Sequence, residues 1–573
     1  MKNIIKCCKG NILYIIAAPL LKLCEAALEL LVPVIMAEII DKGIIIQNKN
    51  YVFKNGLILI VLSVSCFVIS VISQYFSAKA SANTVKNLRQ KAYSHILNLS
   101  HSQIDKVGAS SLITRLTGDM NGIQTGINLT LRLILRSPFV VFGACFMAVR
   151  IDKNASPVFF GVLVSLCVIV FLIMFFCVPL NEKVRIALDN VLKSSKDALT
   201  GIKVIKAFCL EMKFADEFKV KNAALVKKQK VVGKISALTN PLTSLAVNSG
   251  ITALIYTGAL RVETGVITIG VLVALYNYLN QILVELVKLA NLIITVSKSL
   301  ACVKRVDFIL NLSEPEYAKE LPAASDDVKI EFRDVYFKYP EACEASLKNI
   351  SLSLSSNEII GVTGSTGSGK TTFVNLICGL YPVSDGTIEL NGKNINEINR
   401  EYLNSIISSV PQKSRLFSGT VRSNLVVSNP DADDNMMVQA LKDSGCSDFI
   451  LNNAKGLETP VLNGGQNFSG GQRQRLCIAR VLLKKSNVFL FDDSFSALDS
   501  VTESNIRNVI KTKYKDKLII IVSQRIPSIM QCDKILIFDE GTVQTGTHSS
   551  LLKESVAYCE MYKSQFGEEN KNE

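Results

Sequence analysis

Residues 364–371, near the middle of the chain, have the types and spacing that bind phosphate. They read GSTGSGKT and fit the pattern G-x-x-x-x-G-K-[ST], directly after an apolar run. The glycines let the backbone curl so that successive N–H groups face one anion, and a helix starting near Lys370 adds the positive end of its dipole. Lys370 would reach the outer phosphates of a nucleotide, and the Thr371 hydroxyl would hold Mg²⁺. A Gly/Ser-rich surface loop is the alternative, but the strand ahead and the apolar segment behind favour phosphate binding.

A carboxylate at a second predicted strand end fits the same site. Asp492 directly follows the apolar run 488–491. A carboxylate in this position can order the coordination shell of Mg²⁺ opposite Thr371. Together these residues predict a site for a nucleotide with its Mg²⁺ ion.

The second half of the chain alternates strand-like and helical segments, which must position these side chains. The segment 358–362 is strand-like, and the short continuous apolar runs at 488–491 and 518–522 are typical of strands buried on both faces. Asp-Gly at 385–386 and Asn-Gly at 391–392 supply hairpin turns around a further strand. We therefore expect an α/β sheet with the phosphate loop directly after one of its strands.

The composition indicates that the first half is embedded in a membrane. Of 573 residues, 49% are apolar, and the mean hydropathy of +0.31 arises almost wholly before residue 300. The net charge is +14, but the cations cluster at 183–234, between two apolar spans. That position suits the cytoplasmic side of a membrane, so nucleic acid is not an expected partner. The 15 cysteines show no C-x-x-C spacing and indicate neither disulfides nor a metal site.

Six segments are long and apolar enough to cross the hydrocarbon core as helices. They are 12–40, 57–76, 133–151, 158–180, 238–260 and 266–296. The positive-inside rule places the N-terminus and the stretches 79–132 and 183–234 in the cytoplasm, although lysines in the first outer loop argue mildly against this orientation. Both stretches have helical periodicity, so we expect the membrane helices to extend into the cytoplasm.

Each cytoplasmic stretch contains a turn-forming break. The breaks lie at 114–119 and at 199–203, and both contain Thr and Gly. A short helix at each break could dock onto the soluble half and carry motion between the halves. A plain loop is the alternative at each place.

Several ionisable residues lie inside the predicted spans. The first span contains Lys22, Glu25, Glu29 and Glu38, and the last contains Glu285 and Lys288. A charge at membrane depth is costly and therefore marks a functional candidate. Glu25 and Glu29 share a helix face and could contact a cationic substrate, but the i,i+3 pairs Lys22/Glu25 and Glu285/Lys288 can neutralise each other. We favour structural pairing or a water-filled cavity.

Four motifs of the second half follow one another in a characteristic order. They are the phosphate loop, Phe468-Ser-Gly-Gly-Gln472, Arg473-Gln-Arg475 and Ser496-Ala-Leu-Asp499. In this order they resemble the nucleotide-binding domain of an ABC transporter. With six spans fused upstream, essentially the whole chain resembles a bacterial multidrug-exporter half-transporter. The resemblance implies a type I exporter fold, in which an α-helical membrane domain precedes an α/β P-loop NTPase-type domain.

The resemblance also implies a dimer with two ATP molecules, each between the phosphate loop of one chain and the signature motif of the other. Gln412 would sense the γ-phosphate, contact the membrane half and, with Thr371 and Asp492, ligate Mg²⁺. Asp499 would cross the dimer interface, and docking helices would lie at 114–119 and 205–211. The residues implied to contact ATP are Tyr339 (stacked on adenine), Gly364, Ser365, Thr366, Gly367, Ser368, Gly369, Lys370, Thr371, Thr372 and Gln412, and, for the partner's ATP, Phe468, Ser469, Gly470, Gly471 and Gln472.

The sequence departs from the family pattern at the catalytic positions for hydrolysis. Hydrolytic subunits carry Glu where this chain has Asp493, whose carboxylate falls ~1 Å or more short, a displacement that can cost on the order of 100-fold in rate. The family has Ser-His-Arg where this chain has Ser-Gln-Arg, and Gln524 can hydrogen-bond to a γ-phosphate but lacks an imidazolium charge. The ATP-holding residues are intact, so we expect slow hydrolysis here beside a competent second half-transporter. A heterodimer is favoured, and a homodimer stays open.

We therefore expect three segments. They are a transmembrane domain with cytoplasmic helix extensions at 1–310, a linker at 311–327 and an ATP-binding domain at 328–573. The expected function is ATP-driven export of amphiphilic, drug-like small molecules across the plasma membrane. The lipid bilayer is an expected partner, and the ATP-binding domain is expected in the cytoplasm. Lipid or peptide export by the same architecture and an ATP-gated regulatory or channel subunit stay open as alternatives.

Overall fold

A computed structural model describes residues 6–314, 327–340 and 342–567 of the chain. Contacts divide the chain into two compact units, residues 1–97 with 110–312 and residues 98–109 with 313–573. Most of the predicted linker at 311–327 lies outside the described residues. The segment 98–109, which we placed in the membrane domain, groups with the second unit.

The first half of the chain is helical. Its helices are α1 (Ile12–Glu29), α2 (Val32–Glu38), α3 (Lys49–Asn98), α4 (His101–Val107), α5 (Ala109–Thr114), α6 (Met120–Leu133), α7 (Arg136–Ile151), α8 (Ser156–Thr200), α9 (Ile202–Ala207), α10 (Glu211–Ala237), α11 (Thr239–Glu263) and α12 (Ile269–Leu310). A π-helical segment, Arg115–Asp119, joins α5 to α6. Helix α4 belongs to the second unit, together with Asn98 at the end of α3 and Ala109 at the start of α5, and the rest of these helices belongs to the first.

Within the described residues, five helical stretches are long and apolar enough to cross a membrane. They are Lys49–Asn98, Ala109–Ile151, Lys153–Thr200, Glu211–Glu263 and Ile269–Leu310. The predicted span 12–40 is not one of them, because it is divided between α1 and α2 and α1 carries three charged residues. Helix α3 has 50 residues. At 1.5 Å per residue it is roughly 75 Å long and exceeds the roughly 30 Å hydrocarbon core, as expected for a helix that extends beyond the membrane.

The first predicted break, at 114–119, is wrong. These residues are helical, and the buried Asp119 carboxylate accepts a hydrogen bond from Arg305 Nε at 2.8 Å, so it does not cap a turn. The chain breaks instead on either side of α4. Ser100 and Gln103 form a capping box at its start, and Gly108 has φ +81° at its end. The Ser-x-x-Gln spacing was the sequence signal for this helix.

The second predicted break is confirmed as a change of helix. Helix α8 ends at Thr200, the short α9 follows, and α10 begins at Glu211. The docking role implied for residues 205–211 stays a prediction.

The described residues of the second unit form three β-sheets. Their strand orders are β2-β1-β4-β5, β12-β11-β3-β10-β9-β6 and β7-β8. The strands are β1 (Lys329–Phe337), β2 (Leu347–Ser355), β3 (Ile359–Gly364), β4 (Asp385–Leu390), β5 (Lys393–Asn394), β6 (Ile407–Val410), β7 (Gly419–Thr420), β8 (Pro460–Val461), β9 (Val488–Asp492), β10 (Leu518–Val522), β11 (Lys534–Asp539) and β12 (Thr542–Gly546). Strands β11, β3, β10, β9 and β6 pair in parallel, and β12 pairs antiparallel at one edge. The predicted α/β class is confirmed.

Helices cover this sheet and connect its strands. They are α13 (Lys370–Ile377), α14 (Arg400–Ile406), α15 (Val421–Val426), α16 (Asp434–Asp443), α17 (Gly470–Leu483), α18 (Ser500–Lys513), α19 (Ile526–Ile529), α20 (His548–Glu554) and α21 (Val556–Phe566). Every residue of β9 and β10 is buried, which accounts for their unbroken apolar sequences. The carboxyl ends of parallel strands meet at one edge, where open α/β sheets bind ligands. Strands β3, β9, β10 and β6 deliver the predicted site residues to that edge.

Candidate functional site

The phosphate loop connects β3 to α13, and its backbone requires glycine at two positions. Gly364 has φ +139°, and a Cβ there would lie 2.1 Å from the carbonyl oxygen of Phe538. Gly369 has φ +110°, and its Cβ would lie 2.6 Å from the carbonyl oxygen of Ser346. No side chain fits at these distances, so both glycines are fixed by the neighbouring backbone as well as by the turn itself.

The Lys370 side chain folds over the inside of this loop. Its ammonium group donates hydrogen bonds to the carbonyl oxygens of Gly364 at 2.9 Å and Ser365 at 2.6 Å. Burial lowers the pKa of Lys370, whereas the nearby Asp492 and Asp493 carboxylates raise it. A buried cation among carbonyl oxygens is held ready to bind an anion at the mouth of the loop.

Asp492 is the last residue of β9 and is almost completely buried, with 3% of its surface exposed. Burial, and then the charge of Asp493, raise the pKa of Asp492 to about 6, against a hydrogen bond from Thr371 that lowers it. The carboxyl group therefore lies where its negative charge is poorly solvated. A cation bound beside it would relieve that cost.

A cavity of ≈ 370 Å³ joins these groups. Its lining residues are Ser346, Thr366, Gly367, Gly369, Lys370, Thr371, Thr372, Gln412, Asp492, Asp493, Val522, Ser523 and Gln524. The structure thus brings the three predicted metal ligands, Thr371, Gln412 and Asp492, into one cavity. Hydroxyl, amide and carboxylate oxygens are the donors that Mg²⁺ takes, so the set fits this ion.

The two residues that depart from the family pattern also line this cavity. Asp493 has φ +48°, a left-handed conformation that Asp adopts more readily than most side chains. Its N–H donates to the carbonyl oxygen of Val522 at 3.1 Å, and its own carbonyl oxygen accepts from Ser496 Oγ at 2.9 Å. Gln524 Nε2 donates to Thr366 Oγ1 at 3.4 Å, so the side chain reaches the phosphate loop.

Tyr339 lies beside the same loop. Its hydroxyl oxygen accepts a hydrogen bond from Thr372 Oγ1 at 3.3 Å, and its ring packs on Phe337 with centroids 4.8 Å apart. The half-buried ring leaves part of its surface open. This position is compatible with the adenine contact implied for Tyr339.

The signature residues Phe468–Gln472 are not among the described residues that line the cavity. Ser469 caps α17, and it forms a capping box with Gln472. Phe468 is buried against Phe449, with ring centroids 6.0 Å apart. Their placement on a separate surface of the unit is what the family arrangement implies for a motif that binds the partner's ATP.

Two residues that the sequence reasoning missed bear on this site. Gln474 accepts from the N–H of Ala497 at 3.1 Å and donates to the carbonyl oxygen of Asp493 at 3.4 Å, so it ties α17 to the strand end of β9. Its place in the Arg-Gln-Arg motif was a usable signal. Ser346, which supplies a backbone oxygen beside Gly369, carries no signal in the sequence.

The charged residues in the membrane unit are paired as predicted. Lys22 lies 2.5 Å from Glu25, and Lys288 lies 2.8 Å from Glu285. Both are i,i+3 pairs on α1 and α12, respectively. Pairing therefore accounts for most of these charges, in agreement with the structural pairing that the sequence predicted.

An arginine that we had not singled out joins the two pairs. Arg136 of α7 is 8% exposed, and it lies 2.7 Å from Glu285 and 3.9 Å from Glu25. It also contacts Glu29 at 2.6 Å. Beside it lies a cavity of ≈ 390 Å³. Its lining residues are Glu29, Val32, Pro33, Met36, Val140, Asn277, Asn280, Gln281, Val284, Glu285 and Lys288. The cavity thus combines apolar walls with amide groups and ions.

Two family profiles match the chain. The profile described as ABC transporter transmembrane region matches residues 15–286, and the profile described as ABC transporter matches residues 347–496. The second range includes the phosphate loop, Gln412, the signature motif and Asp492.

Curated relatives match along nearly the whole chain. An uncharacterized ABC transporter ATP-binding protein of Bacillus subtilis is 33% identical over 96% of both chains. One of Mycobacterium tuberculosis is 31% identical over 95% of both chains. An ATP-dependent lipid A-core flippase of Syntrophus aciditrophicus is 27% identical over 85% of this chain and 82% of its own.

A solved structure shows the same fold. It is described as a bacterial Atm1-family ABC exporter with ATP bound, and it superposes with a TM-score of 0.83 at 22% identity. The match covers 97% of this chain and 98% of that one. The likeness concerns the fold of the whole chain, including the order of its membrane and nucleotide-binding parts.

Proposed function

Because this chain belongs to the ABC transporter family, with a membrane domain fused to an ATP-binding domain, we propose that it exports amphiphilic small molecules as half of a heterodimer in the plasma membrane. The coarse activity, ATP-driven export, follows from family membership. The observation that carries the finer proposal is the cavity in which intact ATP-holding residues meet Asp493 and Gln524.

The phosphate-loop cavity supports Mg²⁺-ATP binding by this chain. Lys370 would exchange its loop carbonyl contacts for phosphate oxygens, and Thr371, Gln412 and Asp492 would hold the ion. The bound ion neutralises phosphate charge. The raised pKa of Asp492 supports a cation at this place, because a cation would stabilise its ionised form.

Slow hydrolysis at this site is the second part of the proposal. Asp493 occupies the position next to Asp492 from which a longer carboxylate would orient water, and Gln524 replaces an ionisable imidazole with a neutral amide. Both lie in the cavity with Lys370 and Thr371. A chain with two such replacements needs a second, competent site to drive transport, which supports a heterodimer.

The cavity in the membrane unit supports an amphiphilic substrate. Five of its lining residues, Val32, Pro33, Met36, Val140 and Val284, are apolar. Two of its charged residues remain accessible to a ligand, since the side chains of Glu29 and Lys288 are 40% and 42% exposed. An apolar body with a polar or charged end would match both kinds of lining.

ATPase measurements on the reconstituted full chain test this proposal. The chain alone should turn over ATP slowly, and adding a half-transporter that carries Glu and His at the positions of Asp493 and Gln524 should restore substrate-stimulated turnover. Rapid turnover by the chain alone would contradict the heterodimer. Asp493→Glu in this chain should change the rate less than loss of the matching Glu in the partner.

Lipid export by the same architecture is the second candidate, and one relative is described as a lipid A-core flippase. Flipping of a fluorescent lipid in vesicles, compared with uptake of amphiphilic dyes, distinguishes the two substrates. Peptide export would appear as ATP-dependent uptake of labelled peptides. An ATP-gated channel subunit would instead show passive conductance that persists when the partner's catalytic Glu is removed.

A further inference from the structure

Helix α4, between two helices of the membrane unit in the sequence, packs within the second unit, where one tyrosine makes two contacts with it. The hydroxyl of Tyr381 donates a hydrogen bond to the Asp105 carboxylate. The ring of His101 meets the ring of Tyr381 edge to face, with centroids 5.5 Å apart and an interplanar angle of 86°. Gln103 Nε2 also donates to the carbonyl oxygen of Ser313 at 3.0 Å. Two successive turns of α4 thus converge on the Tyr381 side chain.

The same tyrosine contacts the ring implied to stack on adenine. Tyr381 and Tyr339 lie 5.2 Å apart between centroids, at 84°, and Phe337 lies 5.9 Å from Tyr381. Tyr381 is 6% exposed, so it has little room to turn independently of these neighbours. One side chain therefore touches both the candidate base-binding ring and the docked helix.

The contact between Tyr381 and Asp105 is stronger than a simple packing contact. A phenol that donates to a carboxylate forms a charge-assisted hydrogen bond, which is directional and sensitive to small displacements. Burial, followed by the hydrogen bond and charge of Asp105, raises the pKa of Tyr381 above its usual range, so the hydroxyl keeps its proton. Tyr381 is thus a permanent donor to α4 at physiological pH.

The sequence places α4 directly after α3, a helix of 50 residues that is long enough to span a membrane. A base stacked on Tyr339 would restrict that ring, and an edge-to-face neighbour would respond, because such pairs prefer a defined geometry. The response would reach Asp105 through the Tyr381 hydroxyl. Tyr339 also accepts a hydrogen bond from Thr372, next to the phosphate loop, so ligands with and without a base must be compared.

We propose that Tyr381 is a positioning residue that links occupancy of the adenine contact at Tyr339 to the position of α4. The inference rests on the proposed ATP binding and goes beyond it, because it makes α4 respond to the base of the nucleotide rather than to its phosphates. A ligand with phosphates alone would fill the loop and leave α4 unchanged.

Hydrogen exchange of the full chain in nanodiscs tests this link. With Mg²⁺ present, ATP should increase amide protection in residues 101–107, and inorganic tripolyphosphate should not. Tyr381→Phe keeps the ring and removes only the hydroxyl. It should abolish the ATP-induced protection of α4 while changing ATP affinity by less than about threefold, since the ring contact with Tyr339 remains.

Tyr514→Phe is the matched control. Tyr514 also hydrogen-bonds to a carboxylate, that of Asp443, but it lies beyond α18 and away from the adenine contact. This variant should show the same ATP-induced protection of α4 as the unmodified chain. Asp105→Asn, which keeps an acceptor oxygen but no charge, should give an intermediate response.

Two outcomes would overturn the link. One is equal protection of α4 by tripolyphosphate and ATP, and the other is an unchanged response in Tyr381→Phe. Failure of the underlying function would look different, because ATP would then not bind the unmodified chain at all. ATP binding without any response of α4 would refute this inference alone.

Discussion

At the scale of single residues, Asp492 and Asp493 are neighbours with different environments. Asp492 is buried at the end of β9, and burial raises its pKa to about 6. Asp493 has left the strand in a left-handed conformation, and burial raises its pKa as well. Two adjacent carboxyl groups that both resist ionisation are costly to the folded chain in the absence of a cation. Such a local cost in stability is typical of a functional site that binds a ligand.

Asp492→Asn should therefore stabilise the nucleotide-free chain in EDTA at pH 8. The carboxyl pKa is about 6 in the folded chain and 3.8 for an ordinary Asp. Since the folded value is raised, the stability that protonated Asp492 provides is complete below pH 3.8 and is lost as the pH rises through 6. The gain at pH 8 should be roughly 3 kcal/mol and should fall to about half of that at pH 5.

Thermal midpoints of the detergent-solubilised full chain at both pH values measure this effect. Asp539→Asn, which removes a carboxyl group at the exposed end of β11, is the control for the loss of one negative charge. A midpoint for Asp492→Asn that is lower than that of the unmodified chain at pH 8 would show that the ionised carboxylate is well accommodated.

Asp493 and Gln524 should act together. Combining Asp493→Glu with Gln524→His should raise the ATPase rate of the chain on its own by about tenfold or more. The longer carboxylate and the ionisable ring would then both line the cavity, where they can orient water and contact the γ-phosphate. Asp539→Glu adds the same methylene group outside the cavity and should leave the rate unchanged. If the double variant stays as slow as the unmodified chain, these two residues do not cause slow hydrolysis.

At the scale of elements, the C-terminal helix α21 holds the loop that carries Gln524. The side-chain amide of Gln565 donates to the carbonyl oxygen of Gln524 at 2.7 Å and accepts from the N–H of Ile526 at 2.8 Å. One amide group thus bridges the backbone on both sides of Arg525. The position of the Gln524 side chain depends on an element about 40 residues away in the sequence.

Gln565→Ala should lower the ratio of ATP affinity to ADP affinity by roughly two- to tenfold, the value of one or two hydrogen bonds. The reason is that Gln524 contacts the phosphate loop at Thr366, and only ATP carries the γ-phosphate to which the Gln524 amide can hydrogen-bond. Gln565→Glu should lower this ratio at least as much, because its carboxylate cannot donate to the Gln524 carbonyl oxygen and is repelled by it. Displacement of a fluorescent nucleotide measures both affinities.

Gln544→Ala, on the exposed face of the edge strand β12, is the matched control for this helix. It should leave the ratio unchanged. Equal losses of ATP and ADP affinity in Gln565→Ala would instead indicate general loosening of the domain, and the positioning role would be rejected.

Local sequence signals predicted some elements and misplaced others. Buried strands such as β9 and β10 were visible as continuous apolar runs, since their burial on both faces leaves no polar position. Helix α4 was missed because the prediction placed the chain break at the Thr-Gly-Asp residues 117–119 instead. These residues are helical in the structure, and Arg305 pairs with Asp119 over a sequence distance of 186 residues. No local pattern reveals such a partner, although the Ser100 capping box did mark the real start.

At the scale of the whole molecule, the sequence predicted the two-part architecture and a set of residues that the structure brings into one cavity at the phosphate loop. It did so because the membrane and the phosphate each impose strict local requirements, on hydropathy and on glycine spacing. Arg136 was not predicted, because its partners Glu29 and Glu285 lie on other helices, 107 and 149 residues away. The hydrogen bonds of Gln565 to the loop that carries Gln524 were not predicted for the same reason. Pairings that depend on tertiary contact need the structure.

The final prediction concerns asymmetry between the two sites of the assembled dimer. In the proposed heterodimer, Lys370 serves the slow site and Ser469 completes the partner's working site. Lys370→Ala should therefore reduce transport by less than about fivefold, since only the slow site is weakened, whereas Ser469→Asp should reduce it by about 50-fold or more. Aspartate retains the ability to cap α17 and places a negative charge where the partner's phosphates are expected.

Ser469→Asn separates the charge from the cap, because asparagine caps a helix without a charge and should reduce transport far less than aspartate. Transport in vesicles that contain both half-transporters is the measurement, with expression and thermal midpoint checked for each variant. In a homodimer each variant would disable both sites, and Lys370→Ala and Ser469→Asp would reduce transport alike. The ranking of these two variants, rather than the size of either loss, therefore decides between a symmetric and an asymmetric exporter.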